Sequence, residues 1–212
     1  MKIDEPKISP LENLTPKNFS DILEELDPEI EGAIITDSDF SNEELERVRL
    51  YNTVIKNGNF SNTDFSRIDL TDVHFENCDF SNANMQKASI HRVAFKNCKL
   101  LGTVLTDSSI GNVKFTDSIL NMAMFGNSKI EKVIFQNGSI LNADFYECRF
   151  KKVLFDTCQI TGTNFIRSPL KGVDISSSHF DTLTVGLENV SGCTVSTHQA
   201  IQFASLLGLK IK

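Results

Sequence analysis

The chain has 212 residues, a formal net charge of −7, five cysteines and no tryptophan, and 40% of its residues are hydrophobic. No stretch approaches the roughly 18 continuous apolar residues of a membrane helix, and the first ten residues lack the apolar core of a secretory signal. These features predict a cytoplasmic protein without a membrane span and exclude a disulfide-stapled secreted scaffold.

Residues 1–29 are predicted to form an N-terminal extension with a short capping helix. Thr15 followed by Pro16 is the pattern of an N-cap and a first helical residue. Apolar residues then follow at helical spacing, at Phe19, Ile22, Leu23 and Leu26. We expect this amphipathic helix to cover the open end of the structure that follows.

Residues 30–195 carry an internal repeat. Every fifth residue from Ile30 to Val195 is apolar, and 14 of the 16 phenylalanines occupy this frame. A small or slim residue lies two positions before each of these apolar residues. The exceptions are Glu43, Ile68, Leu183 and Glu188. A period of five fits neither a helix nor an ordinary strand, so it indicates a solenoid with a narrow interior. Glu43 and Glu188 are expected to mark the frayed first and last turns, because burying an unpaired carboxylate is costly.

Like residues also recur at intervals of twenty. Valines stand at Val73, Val93, Val113, Val133, Val153 and Val173, each followed two residues later by Phe75, Phe95, Phe115, Phe135, Phe155 or Ile175. This spacing predicts coils of four five-residue sides, about eight and a half coils in a rod about 40 Å long. All five cysteines fall in the small inward position and are predicted to be core thiols.

Units such as "CDFSN" (78–82), "TDFSR" (63–67) and "ADFYE" (143–147) resemble the pentapeptide-repeat family. The resemblance implies an all-β solenoid: a right-handed quadrilateral β-helix of about eight coils with short N- and C-terminal helical caps. The frame runs from residue 30 to residue 195 without a shift, so no inserted loop is expected.

Residues 196–212 are predicted to form a C-terminal helix and strand that cap the rod and mediate dimerisation. Ser196 and Gln199 form a capping-box pattern, and Gly208 suits the end of the helix. The residues expected in the cap or dimer contact are Ala200, Phe203, Ala204, Leu207 and Leu209.

The segment "LKGVDISSSHFDTLTV" (170–185) and the ending "QAIQFASLLGLKIK" (199–212) are similar to the quinolone-resistance (Qnr-type) pentapeptide-repeat proteins of Gram-positive bacteria. That resemblance implies a homodimer formed through the C-terminal ends. It also implies a DNA mimic that binds DNA gyrase or topoisomerase IV and protects it from fluoroquinolones, conferring antibiotic resistance. The alternative is a protein-interaction scaffold with an unrelated partner.

Nothing in the sequence predicts an enzyme, a cofactor or a metal site. The four histidines, His74, His91, His179 and His198, stand in unrelated units without ligands at metal spacing. No glycine-rich phosphate loop is present.

Acidic residues concentrate in the first part of the chain. Residues 1–79 hold 19 Asp/Glu against 7 Lys/Arg, whereas residues 80–212 hold 9 against 14. The candidates for imitating phosphates are Asp37, Asp39, Glu44, Glu46, Asp64, Asp69, Asp72, Glu76 and Asp79, with Glu43 beside them. The alternative interpretation is a solvated surface that maintains solubility.

Two further surfaces are predicted from the frame. Apolar residues at outward positions suggest a partner site, namely Leu101, Val104, Ile119, Met122, Met124 and Leu141, unless they pack against one another. One side is basic, with His91, Arg92, Lys129, Lys132, Arg149, Lys151, Lys152 and Lys171. Ordinary solvation explains this basic side better than direct nucleic-acid binding, because acids are interspersed and the net charge is negative.

Overall fold

The computed structural model describes residues 1–24, 27–204 and 208–210. It is a four-sided parallel β-solenoid of about eight turns, as the five-residue frame predicts. The apolar residues of the frame point inward and form one continuous core along the rod.

Within the described residues, ten strands form a single sheet along two of the four sides. They are β1 (Thr15–Lys17), β2 (Glu29–Glu31), β3 (Ala33–Thr36), β4 (Arg49–Lys56), β5 (Asp69–Glu76), β6 (Ser89–Lys96), β7 (Ser109–Thr116), β8 (Lys129–Gln136), β9 (Arg149–Asp156) and β10 (Val173–Asp174). From β3 onward, each residue pairs with the residue twenty positions later, as in Leu50 with Leu70 and Val73 with Val93. The predicted coil of twenty residues is therefore confirmed.

We name the four sides by their inward residues. Side A contains Leu50, Leu70, Ile90, Ile110, Ile130, Phe150 and Leu170; side B contains Ile55, Phe75, Phe95, Phe115, Phe135, Phe155 and Ile175. Side C contains Phe40, Phe60, Phe80, Leu100, Leu120, Ile140, Ile160 and Phe180; side D contains Leu45, Phe65, Met85, Leu105, Phe125, Phe145, Phe165 and Val185. Strands β4 to β9 each turn from side A to side B, whereas sides C and D are joined by single bridges. The side C bridges run from Asp39 to His179, a length of about 34 Å at ~4.8 Å per coil.

The corners between sides explain the abundance of asparagine. Nearly every fifth residue has a positive φ near 55°, a conformation that Asn and Gly adopt at low cost. Asparagines at successive corners also join through their side-chain amides: Asn77 donates to Asn57 at 3.0 Å, and Asn97 donates to Asn77 at 2.8 Å. The polar corners thus stabilise the stacking of coils.

Stacked rings and buried polar side chains fill the interior. On side B the ring centroids of Phe95, Phe115 and Phe135 follow one another at 4.9 and 5.1 Å. Buried hydroxyls at the small inward position donate to backbone carbonyls of an earlier coil, as Thr63 Oγ1 does to the Phe40 carbonyl at 2.7 Å. These bonds satisfy polar groups that would otherwise destabilise a dry core.

The cysteines lie where the frame places them. Cys78, Cys98, Cys148 and Cys158 are buried and free, and Cys193 is half-buried and free. Burial raises the pKa of Cys148 to about 12 and that of Cys158 to about 11. Cys148 and Cys158 therefore stay protonated and unreactive at neutral pH.

The exceptions to the small-residue register are accommodated in different ways. Glu43 and Glu188 are exposed, so neither carboxylate is buried, and Glu188 lies in a 3₁₀ helix, Leu187–Asn189, near the end of the rod. Ile68 instead is buried in the core with 1% exposure.

The N-terminal cap differs from the predicted helix. Thr15 and Pro16 belong to strand β1, which pairs with β3, so the predicted N-cap at Thr15 is wrong. A 3₁₀ helix, Phe19–Glu24, follows, and the Asn18 side chain accepts the Ser20 N–H at 3.1 Å. Pairing with the first coil overrides the local helical signal because it satisfies the open edge of the sheet. Leu26 lies outside the described residues.

The 3₁₀ helix nevertheless covers the first coil. Phe19 is 1% exposed, and its ring lies 4.8 Å from those of both Phe40 and Phe60. Ile22 is equally buried, whereas Leu23 is 51% exposed. The extension thus places one aromatic ring into the end of the core.

The C-terminal end is covered by helix α1 (Thr197–Ala204). The predicted capping box is present: Ser196 N–H donates to Gln199 Oε1 at 2.8 Å, and Gln199 N–H donates to Ser196 Oγ at 3.2 Å. The buried Gln199 amide also donates to the carbonyls of Ile175 and Ser178. One side chain therefore caps both the helix and the last coil.

Candidate protein-interaction surface

The nine candidate phosphate mimics are distributed around all four sides of the first coils. Asp39 and Asp79 lie on side C, Glu44 and Asp64 on side D, and Asp69 on side A. The remaining four lie at corners: Asp37 and Glu76 between sides B and C, Glu46 between D and A, and Asp72 between A and B. The structure therefore does not bring all nine together on one face.

Four of the nine are neutralised by cations one coil away. Arg92 donates to both oxygens of Asp72 at 2.6 Å and holds the pKa of that carboxyl below its usual value. Lys96 and Lys56 both pair with Glu76 and lower its pKa in the same way. Asp79 pairs with Lys99, and Glu46 pairs with Arg67. These pairs link adjacent coils and leave little net charge for a partner.

The acids without an ion pair in the described part of the chain lie mainly on sides C and D. Asp37, Asp39 and Glu44 are exposed, and Asp64 is half-exposed. Uncharged neighbours donate hydrogen bonds to two of these carboxylates and leave their negative charge in place. Asn57 donates to Asp37 at 2.9 Å, and the Ser41 hydroxyl and N–H lower the pKa of Asp39. Asp69 also forms no ion pair with any described residue, and it accepts the Tyr51 hydroxyl at 3.2 Å on side A.

The six apolar candidates occupy the same two sides. Ile119 lies on side C, Val104 and Met124 are bridge partners on side D, and Met122 is at the corner between them. Leu101 and Leu141 flank that corner one coil before and one coil after. Ile119, Met122 and Met124 are 43%, 58% and 39% exposed, so the patch is not closed by packing among its own members.

Sides C and D together form what we call the CD face. Its first two coils carry the unpaired acids Asp37, Asp39, Glu43, Glu44 and Asp64, and its middle coils carry the apolar patch. The five-residue frame predicts the acids and the apolar patch separately. That they lie along one face becomes visible only once the structure gives the register between coils.

The basic side lies opposite, on side A and its adjoining corner. Lys151 and Lys129 approach Glu131 at 2.6 and 3.6 Å, and Lys132 approaches Asp4 at 3.1 Å. Arg149, Lys152 and Lys171 form no ion pair within the described residues and are exposed. Arg92 is engaged by Asp72, and His91 is half-buried beside Gly111. The cations that the sequence groups together are thus partly neutralised.

The C-terminal candidates divide between the cap and the surface. Phe203 packs against the core with its ring 5.6 Å from that of Phe180, and Ala204 is half-buried. Ala200 and Leu209 are exposed. Leu207, like the second half of the predicted final strand, lies outside the described residues.

The described residues contain no helix long and apolar enough to cross a membrane. Within them, no group of three or more His, Cys, Asp or Glu side chains is arranged to hold a metal ion.

Comparison with known proteins supports the predicted family. Residues 68–145 match the family model described as a pentapeptide repeat region. No curated protein sequence matches the chain.

The rod is also similar to solved structures. A trypsin-treated variant of QnrB1, described as a plasmid-mediated fluoroquinolone resistance protein, is 20% identical with a TM-score of 0.49, covering 87% of this chain and 90% of that one. Full-length QnrB1 is 20% identical with a TM-score of 0.43, covering 85% and 90%. A pentapeptide-repeat protein from the Arabidopsis thaliana thylakoid lumen is 22% identical with a TM-score of 0.41, covering 42% and 63%. Such low scores do not transfer a function to this chain.

Proposed function

We propose that this pentapeptide-repeat protein is a non-enzymatic, cytoplasmic DNA mimic that binds a type II topoisomerase, DNA gyrase or topoisomerase IV, and protects it from fluoroquinolones. The observation that carries the proposal is the group of unpaired acids at the N-terminal end of the CD face. The similarity of the C-terminal segment to quinolone-resistance proteins supports the choice of partner.

The charge density of this acidic group is close to that of duplex DNA. Asp37, Asp39, Glu43 and Glu44 belong to one coil and Asp64 to the next. Two coils extend about 10 Å along the rod. Duplex DNA carries one charge per ~1.7 Å, or about six charges over the same length. Five carboxylates on this face therefore nearly equal the charge that a DNA-binding channel meets over the same length of duplex.

The apolar patch supplies a second component of binding. Electrostatic attraction mainly accelerates encounter, whereas desolvated apolar side chains at the centre of an interface contribute most of the affinity. Met122 and Met124 are flexible and exposed, which suits them to pack against a protein surface. The patch thus favours a protein partner over free nucleic acid.

Dimerisation through the C-terminal ends is part of the proposal. Two such rods joined end to end would present an acidic group at each distal end. Exposed Ala200, Ile201 and Leu209 are available for this contact, with Ile201 47% and Leu209 57% exposed. Because Phe203 belongs to the cap, Phe203→Asp would disturb folding as well as assembly. Leu209→Asp, in contrast, should yield monomers in sizing experiments without unfolding the rod.

A supercoiling assay with purified gyrase and a decatenation assay with purified topoisomerase IV, each with and without a fluoroquinolone, test the proposal. The chain should restore the activity of at least one enzyme in the presence of drug, and Asp39→Lys/Glu44→Lys should lower its potency at least tenfold. Glu12→Lys/Glu31→Lys makes the same change in net charge outside the CD face and should have no such effect. The proposal is wrong if the chain affects neither enzyme, or if both double variants lose potency equally.

A scaffold with an unrelated partner is the alternative, favoured by the apolar patch alone. Met122→Lys/Met124→Lys should then abolish capture of that partner, while Asp39→Lys/Glu44→Lys should leave it unchanged. Loss of topoisomerase binding on acid reversal would instead favour the DNA mimic.

A further inference from the structure

Residues 1–10 form an arm that lies along the outside of the rod, across several coils. Ser9 N–H donates to Asn52 Oδ1 at 2.7 Å, Lys7 N–H donates to Asp72 Oδ1 at 2.8 Å, and Asp4 N–H donates to Asn112 Oδ1 at 3.1 Å. The three acceptors occupy the same corner, between sides A and B, on different coils. The 3₁₀ helix Leu11–Asn13 connects the arm to β1. The arm therefore runs against the direction of coil growth, back over the rod.

The spacing of the contacts follows from the two repeats involved. An extended chain rises about 3.3 Å per residue, so the three residues from Asp4 to Lys7 cover about 10 Å. Their acceptors, Asn112 and Asp72, stand two coils apart, which is also about 10 Å. Three residues of an extended peptide thus span the same length as two coils, so the peptide can stay in register with the corner.

Two apolar residues of the arm are shielded from solvent. Ile3 is 7% exposed and Ile8 is half-buried. Ile8 borders two cavities that it shares with His74, one also lined by Val54 and the other by Ala94. These three residues occupy successive outward positions of side B, beside the polar corner. The row of side-chain oxygens at the corner and the parallel row of Val54, His74 and Ala94 together make a groove.

We propose that this groove, the AB groove, is a binding site for extended peptides, and that the arm is its displaceable intramolecular occupant. The corner oxygens bind backbone N–H groups and so accept any sequence, whereas the buried position of Ile3 and the half-buried position of Ile8 select apolar residues. The backbone hydrogen bond of Lys7 and the ion pair of Asp4 with Lys132 lie at the surface, where water competes for them. A segment with the same pattern can therefore replace the arm. This inference is independent of topoisomerase binding, which uses the CD face.

Binding of a labelled peptide to the full chain tests the groove. The probe is a fluorescent peptide of residues 1–11, and the receptor is the Ile3→Asp/Ile8→Asp variant, whose own arm is weakened. Its affinity for the peptide should exceed that of the wild-type chain at least tenfold, because the wild-type arm competes. A peptide carrying the same two substitutions should not bind.

A corner substitution locates the site. Asn112→Gly keeps the positive φ but removes the acceptor, and in the receptor variant it should weaken peptide binding several-fold. Asn127→Gly, at the corner between sides D and A, is the matched control and should not. The proposal fails if the folded receptor variant, checked by circular dichroism, does not bind the peptide, or if both glycine variants bind alike.

Hydrogen exchange of the wild-type chain gives a second test that needs no arm variant. The amides of Asp4, Lys7 and Ser9 should exchange at least tenfold more slowly than in the free peptide, and excess unlabelled peptide should remove this protection. Protection unchanged by saturating peptide would show that the arm is a fixed part of the fold.

Discussion

Removing one ring from the middle of the side B stack should be unusually costly. Phe135 is 1% exposed, and its ring lies between those of Phe115 at 5.1 Å and Phe155 at 4.7 Å. Phe→Ala substitutions in cores cost about 3–5 kcal/mol, and the value depends on how far the surroundings collapse into the cavity. Here the neighbouring rings are attached to β7 and β9, whose hydrogen bonds to β8 fix the coil spacing. We therefore expect Phe135→Ala to lower the free energy of unfolding by about 5 kcal/mol.

Phe180→Ala is the matched control near the end of the rod. Phe180 is 4% exposed and meets Phe203 of the short helix α1, which can move inward. This substitution should lower the free energy of unfolding by about 3 kcal/mol. Urea denaturation followed by circular dichroism measures both values. The reasoning about coil spacing is refuted if the two substitutions cost the same, or if a crystal structure of Phe135→Ala shows the cavity closed.

Three further outcomes are expected. Thr157 is a β-branched residue at a corner with a φ of 55°, so Thr157→Asn should stabilise the chain by about 1 kcal/mol in the same assay; a loss would contradict the strain argument. Thr63→Val keeps the shape of the side chain but leaves the Phe40 carbonyl without its hydroxyl donor, and should cost about 1–2 kcal/mol; an unchanged midpoint would show that the bond contributes nothing. Burial lowers the pKa of His74 below 6.5, so the unfolded chain binds more protons than the folded chain. The free energy of unfolding should therefore fall as the pH drops below about 6.5. Between pH about 7.5 and about 5.5, this decrease should be smaller for His74→Gln than for the wild-type chain.

The interior was predictable because each inward position repeats the same physical requirement. The alternation of large and small residues places Phe135 and Cys148 in the core without any knowledge of their neighbours. The corner conformation is also encoded locally, since Asn at positions such as Asn57 tolerates a positive φ.

The surface was less predictable because its properties depend on neighbours twenty residues away. Asp72 and Asp37 occupy equivalent corner positions of the five-residue frame, yet Arg92 neutralises only Asp72. The segment at Thr15 carries a genuine helical signal that strand pairing with β3 overrides. The position of the arm depends on contacts such as Asp4 with Asn112, which no local pattern indicates.

The twenty-residue register also determines how the rod can change in length. A duplication or deletion of one whole coil keeps every inward residue inward and every corner at a corner. An insertion of one residue would instead turn the following core positions toward solvent. Each added coil would move the acidic end away from helix α1 by about 4.8 Å. The number of coils therefore sets the distance between the two ends of the molecule in fixed steps. That distance can change without any change in the sequence of either end.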